Sequence, residues 1–224
     1  MPGSKGKILY VITQGEMGGA QRYVFDAAIN IAGGYEIAVA IGAEHQPLSQ
    51  KLEESGIKVF VVKNLVRDIH PVKDLLAVFE LKKLIQRFRP DIIHLNSSKA
   101  GVVGSLAARL AKKPNVVFTA QGFAFVEPHS WPVRQIYYWA EKFASLWRKK
   151  IITVSEYDRQ AAIKNKLCAP KKLITIHNGI GSPVFASDSE ANPKRLLREY
   201  PHSASRSGSE TLQGRTTSSW PRGR

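Results

Sequence analysis

The amino-acid sequence predicts an α/β fold, a doubly wound, Rossmann-like parallel sheet of about seven strands in a single domain with a tail behind it. Two observations predict it. Short runs rich in β-branched residues recur up to residue 180, most of them continuously apolar, as parallel strands covered on both faces are. Longer helical stretches separate the runs, so strand and helix alternate.

Lys7-Ile-Leu-Tyr-Val-Ile12 is the first strand, and Thr13-Gln-Gly-Glu-Met-Gly-Gly19 leads from it into a helix beginning at Gly19. Strands at Glu36–Ile41 and Lys58–Val62 bracket a helix that begins near Leu48. A long helix from Val72 to Phe88 precedes the strand Asp91–Leu95, which ends in Asn96-Ser-Ser-Lys99. The helix starting near Lys99 carries Gly101, Gly104, Ala107 and Ala108, small enough to lie close on a sheet. Asn115–Thr119 follows as a strand ending in Ala120-Gln-Gly122. A helix from Trp131 to Trp147, a strand at Ile151–Val154, a helix from Glu156 and a strand at Leu173–Ile176 complete the pattern, with His177-Asn-Gly179 beyond. In such sheets ligands bind outside the carboxyl ends of the strands, so these loops are expected to meet on one rim.

From residue 181 the text becomes rich in Ser, Pro, Gly and Arg and loses all apolar period. Such a segment cannot bury enough surface to offset its ordering entropy, so 1–180 is read as the folded domain and 181–224 as a disordered tail. The whole chain of 224 residues carries 33 Lys+Arg against 18 Asp+Glu, a net charge of +15. Its 43% hydrophobic content excludes a chain disordered throughout. The single cysteine, Cys168, excludes an internal disulfide and fits a reducing compartment. No apolar run approaches the roughly 18 residues that span a bilayer, and the expectation is a cytoplasmic protein, held if anything at a membrane surface.

Gly18-Gly19 at a strand-to-helix turn suits a phosphate, because backbone N–H groups and the helix macrodipole both favour an anion there. Paired glycines at such a turn are as often merely structural. The spacing matches neither a dinucleotide fingerprint nor a Walker loop. Ser97 and Ser98 read first as helix caps, with Lys99 as a cation near a phosphate or sugar the less favoured reading. His94 reads as a core histidine and His177 as a capping residue. Catalytic triads, paired carboxylates and zinc motifs are all missing from the text.

Two helices are expected to show apolar surface outward. In the first, Leu75, Val78, Leu81, Leu84, Ile85 and Phe88 form the core stripe, leaving Val72, Leu76 and Phe79 outward with Lys83 nearby. In the second, Val133, Ile136, Tyr137, Ala140, Phe143, Ala144 and Trp147 form one stripe, and Trp131, Tyr138 and Trp139 lie opposite with Lys142 and Lys149. Rings beside lysines suit an anionic membrane, where each cation contributes about 1 kcal/mol, and they suit a second domain or subunit equally.

Taken together, Gly18-Gly-Ala-Gln-Arg-Tyr23, Pro90-Asp-Ile-Ile-His-Leu-Asn-Ser-Ser-Lys-Ala-Gly101, Phe118-Thr-Ala-Gln-Gly-Phe-Ala-Phe125, Ile152-Thr-Val-Ser-Glu156 and Ile176-His-Asn-Gly-Ile180 resemble the N-terminal half of family-four glycosyltransferases of the GT-B fold. The resemblance implies a retaining enzyme of two domains, the first binding the acceptor and the second a nucleotide sugar. It places Gly18 and Gly19 near the donor phosphates, and Asn96, Ser97, Ser98, Lys99, Gly122, Ser155 and Glu156 among the substrate-binding positions. Gln121 stands where the family has a histidine facing the reacting sugar, and an amide cannot carry that proton charge.

The family's donor domain, with its Arg/Lys pair and E-x7-E motif, has no counterpart here, so the tail is expected to be an out-of-frame or early ending. The resemblance thus implies an acceptor half with little activity alone, acting on a lipid-linked or polysaccharide-precursor acceptor, with a nucleotide sugar as substrate and with no cofactor or metal. A non-catalytic acceptor- or membrane-binding module paired with a separate donor subunit is the alternative. The basic tail shows no nucleic-acid signature, and no nucleic-acid partner is expected.

Overall fold

The computed structural model describes residues 6–42 and 46–179. They form one α/β domain. The expected tail, 181–224, lies outside the described residues.

Seven strands, β1 (Gly6–Ile12), β2 (Tyr35–Gly42), β3 (Lys58–Val62), β4 (Ile92–Asn96), β5 (Val116–Ala120), β6 (Lys150–Thr153) and β7 (Leu173–Thr175), are joined by helices α1 (Gly19–Ile31), α2 (Gln46–Glu54), α3 (Pro71–Phe88), α4 (Ser98–Leu110), α5 (Trp131–Ser145) and α6 (Glu156–Lys164). The sheet runs β3-β2-β1-β4-β5-β6-β7, and every neighbouring pair is parallel. The doubly wound reading therefore holds, with its switch point between β1 and β4. Each expected strand is present to within a residue or two at its ends.

Side chains of β1 alternate between two cores, as period-two geometry requires. Ile8, Tyr10 and Ile12 pack with Val24 and Ala28 of α1 and Leu48 and Leu52 of α2. Leu9 and Val11 pack with the other face, where Ala77, Leu81 and Ile85 of α3 and Val103 and Ala107 of α4 lie. On β4 the residues Ile93 and Leu95 face the α3–α4 side, which leaves His94 and Asn96 on the α1 side.

Local chemistry sets the helix ends. At the start of α3, the His70 side chain accepts from the Lys73 N–H and Pro71 takes the first turn; Arg89 ends it at φ 56° with its N–H on the Ile85 carbonyl. In α4, Gly104 is required for close packing, since a Cβ there would lie 2.5 Å from Leu95 Cδ2.

Both amphipathic helices depart from the expected stripes. Leu75 of α3 is exposed; it lies about 200° around the helix from the inward Ala77. In α5 the difference is larger. Glu141, Ala144 and Ser145 are the buried residues, while Ile136 and Phe143, expected inside, are exposed. Glu141 faces inward because Arg148, itself 1% exposed, meets it at 2.6 Å between Nη1 and Oε2. The same guanidinium donates Nε–H to Ser105 Oγ at 3.1 Å and lies 3.9 Å over the Phe118 ring. A neutralised polar pair thus occupies the core side, and the apolar period marks the outward side. Tyr138 is corrected with it: half-buried, it stacks edge-on against Phe125 and donates its hydroxyl to the Asn165 carbonyl.

Candidate functional site

The loops after the strands meet on one rim, as the parallel sheet requires. Thr13, just past β1, hydrogen bonds through its hydroxyl to Ser97 Oγ at 2.7 Å, which closes the switch point between β1 and β4. Gly42 donates its N–H to the Thr13 carbonyl at 3.1 Å. No side chain fits at Gly42: a Cβ would stand 2.0 Å from the Leu65 carbonyl oxygen and 2.2 Å from that of Thr13.

Gly18 caps α1 in extended backbone with no side-chain bond to the first turn. Nothing lies within 4 Å of where a Gly19 Cβ would be, so the space beside this helix N-terminus is open. Two N–H-bearing turns flank it. Ser97 caps α4 by accepting from the Ala100 N–H, at φ 112° and ψ 148°, a conformation that non-glycine residues avoid and that marks stored strain. Ser98 opens α4, and Gly122 follows β5 at φ 129°, beyond the reach of most side-chain-bearing residues.

Asn96 ends β4 fully buried. Its Nδ2 donates to the His94 carbonyl at 3.0 Å, and its Oδ1 is buried without a partner. Asn96 pairs in register with Thr119. Gln121, two residues on, lies on the same side of the strand direction, and it accepts at Oε1 from Asn178 Nδ2 at 3.1 Å. Its Nε2 is likewise buried without a partner. One acceptor and one donor thus stand unsatisfied at neighbouring strand ends, an arrangement that costs about 1–3 kcal/mol per atom unless a ligand completes it.

Beneath them His94 bonds through Nε2 to Thr119 Oγ1 at 2.8 Å, with Tyr10 and Tyr23 rings around it. Burial pushes its pKa down to about 4, so the ring is neutral and structural. Tyr10 is raised for the same reason, with the neighbouring Tyr23 adding to it.

Three expected site residues are occupied by structure. Lys99 is not a free cation: Nζ meets Asp74 Oδ1 at 2.6 Å and the Asp68 carbonyl, tying α4 to the start of α3. Ser155 caps α6 by accepting from the Asp158 N–H at 3.0 Å. Glu156 accepts from Gln160, Thr175 and Arg159, and these hydrogen bonds hold its carboxyl down at about 2. Thr13 and Gly42 shape the site without a motif in the sequence to mark them, and the His-Asn-Gly spelling is the sequence signal for Asn178.

Comparison with known proteins gives the family of the chain. Residues 17–181 match the model of Glycosyltransferase Family 4. The chain is 37% identical over 143 residues to the Escherichia coli UDP-Gal:alpha-D-GlcNAc-diphosphoundecaprenol alpha-1,3-galactosyltransferase, covering 64% of this chain and 37% of that protein. It is 27% identical over 171 residues to the Escherichia coli O-antigen biosynthesis glycosyltransferase WbnH, covering 76% of this chain and 48% of the relative. In fold it is similar to Anabaena HepE, solved in complex with UDP and glucose, with a TM-score of 0.64 at 23% identity over 87% of this chain and 50% of that one. The chain therefore spans about half or less of the length of these relatives. On the match over residues 17–181, the chain belongs to Glycosyltransferase Family 4.

Proposed function

We propose that this chain is the acceptor-binding half of a retaining glycosyltransferase that moves a sugar from a nucleotide donor to a lipid-linked polysaccharide precursor. The complete enzyme works without a bound metal, and this half has little or no turnover alone. Its place is the inner face of the cytoplasmic membrane, as a peripheral protein. The relative that acts on GlcNAc-diphosphoundecaprenol suggests the acceptor, a GlcNAc diphosphate on a polyprenyl chain.

The single observation that carries the reading is the orphaned pair on the rim, Asn96 Oδ1 and Gln121 Nε2. A sugar hydroxyl both donates and accepts, so it is able to satisfy either an amide oxygen or an amide NH2. Asn178 fixes which end of the Gln121 amide is presented. Retaining transfer separates charge between the leaving diphosphate and the anomeric carbon, and the stabilising groups must be in place beforehand. Here α1 would direct N–H groups from Gly18–Gly19 towards a diphosphate at the cleft, and Gln121 would donate to an acceptor hydroxyl as a neutral group. No ionisable group stands at that position, so charge stabilisation falls to the other half.

The test is nuclear magnetic resonance on the 224-residue chain titrated with short-chain GlcNAc diphosphate, alongside a sugar-transfer assay. Saturable shifts at the Asn96 and Gln121 side-chain amides without transfer support the reading. Transfer by the chain alone, or shifts confined to other surfaces, would overturn it.

A further inference from the structure

Four non-glycine residues among those described have positive φ. Arg89, Lys112 and Lys166 lie at 51–57°, in the left-handed region where helices commonly end. Ser97 stands apart at φ 112° and ψ 148°, in a region that glycine alone enters freely. Such a conformation persists only where the surroundings impose it.

The surroundings here are the Thr13 hydroxyl. Ile12 pairs in register with Asn96, so the residues that follow them, Thr13 and Ser97, stand side by side across the switch point. Their hydroxyls meet at 2.7 Å. The helix-capping bond of Ser97 is long by comparison, 3.4 Å from Oγ to the Ala100 N. Thr13, rather than α4, therefore holds the Ser97 side chain. Thr13 is itself fixed: it is 5% exposed, and its carbonyl accepts the Gly42 N–H from the end of β2 at 3.1 Å.

The strain falls between two groups that would otherwise meet. An asparagine side-chain oxygen readily accepts from the backbone N–H two residues on, and asparagine caps helices as well as serine does. For Asn96 that donor is the Ser98 N–H, at the first position of α4, where no intrahelical acceptor exists. Asn96 Oδ1 does not take it and is left buried without a partner. Closing that turn needs the intervening residue to fold back, in the common form near φ of about −60°. Ser97 at φ 112° and ψ 148° runs the other way.

We infer that Thr13 is a positioning residue of the acceptor site: its hydroxyl holds Ser97 at positive φ, which keeps Asn96 Oδ1 from the Ser98 N–H and open to a sugar hydroxyl. Without this strap Ser97 returns to negative φ, Asn96 becomes the cap of α4, and its oxygen is spent on its own backbone. One hydroxyl–hydroxyl bond thus decides whether the rim presents an acceptor atom or hides it. The inference deepens the acceptor reading and rests on it for its ligand.

The test compares Thr13→Val, which keeps the shape and removes the hydroxyl, with Thr13→Ser, which keeps the hydroxyl, in the 224-residue chain. Circular dichroism reports the fold. Hydrogen exchange at the Ser98 amide should be unprotected in the parent and at least tenfold slower in Thr13→Val, with Thr13→Ser like the parent. Affinity for short-chain GlcNAc diphosphate should fall about tenfold in Thr13→Val and return in Thr13→Ser. The urea midpoint of Thr13→Val should hold or rise, because release of the strain offsets the lost bond. A Ser98 amide already protected in the parent would overturn the inference. So would unchanged Ser98 exchange in Thr13→Val, a Thr13→Val chain that binds as the parent does, or a Thr13→Ser chain that behaves like the valine variant. The two readings fail separately: no binding of GlcNAc diphosphate by the parent sinks the acceptor reading, while exchange at Ser98 still decides whether Thr13 sets the cap.

Discussion

Replacing Asn96 with leucine separates the site's contribution to the fold from its contribution to ligand binding. The amide oxygen is buried with no partner, and removing it should return about 1–3 kcal/mol. The substitution also deletes the Nδ2–H bond to the His94 carbonyl, worth about 1 kcal/mol. Leucine shares the branching of asparagine but is larger, and overpacking a buried site costs about 1–3 kcal/mol, so the expected balance lies between about 1 kcal/mol of stabilisation and about 3 kcal/mol of loss. Binding should move the opposite way, because a sugar hydroxyl would lose its acceptor; a loss of about tenfold or more in affinity for short-chain GlcNAc diphosphate is expected. Thermal unfolding read by circular dichroism and a calorimetric titration measure the two effects on one sample. A large fall in melting temperature with binding intact would refute the reasoning, since Asn96 would then be a structural residue whose oxygen is satisfied.

Other perturbations probe the same geometry. Asn178→Ala should weaken acceptor binding while leaving stability nearly unchanged, and rescue by Asn178→Gln but not by Asn178→Leu would mark it as the residue that orients Gln121. Acid should destabilise the domain in two stages. His94 has its pKa lowered by burial to about 4 from 6.5, so the unfolded chain takes up its proton first and about 2–3 kcal/mol is lost as pH falls from 6.5 to 4. Glu156, held near 2 against an ordinary 4.5, adds a loss below pH 4.5, and urea midpoints of His94→Gln across this range should lack the upper stage. Glu141→Leu should cost about 3–5 kcal/mol by leaving Arg148 buried without its counter-charge, and Glu141→Leu with Arg148→Met should recover most of it in urea unfolding.

The strands were legible because parallel sheets buried on both faces demand unbroken apolar runs, and Leu9 to Ile12 or Ile93 to Leu95 could hardly be anything else. The rim was legible for a related reason: once strands are parallel, the polar residues after each run must share an edge. The inward face of α5 was not. Its buried positions include Ser145, whose hydroxyl donates to the Lys142 and Leu167 carbonyls, and Glu141, which pairs with Arg148 just past the helix end; this bonding lets polar residues occupy the core, so an apolar count points to the wrong side. Lys99 misled similarly, because its partners Asp68 and Asp74 lie on a loop and helix that only tertiary structure brings near. The orphaned atoms of Asn96 and Gln121 are a property of their surroundings and leave no mark in the sequence.

The central claim, that this chain holds the acceptor and leaves the activated sugar to another half, is tested most directly by calorimetry. The 224-residue chain is titrated separately with short-chain GlcNAc diphosphate and with UDP-galactose. The account predicts saturable heat for the first, lost in Asn96→Leu, and none for the second. Tight, stoichiometric binding of UDP-galactose by the chain unaided would contradict it.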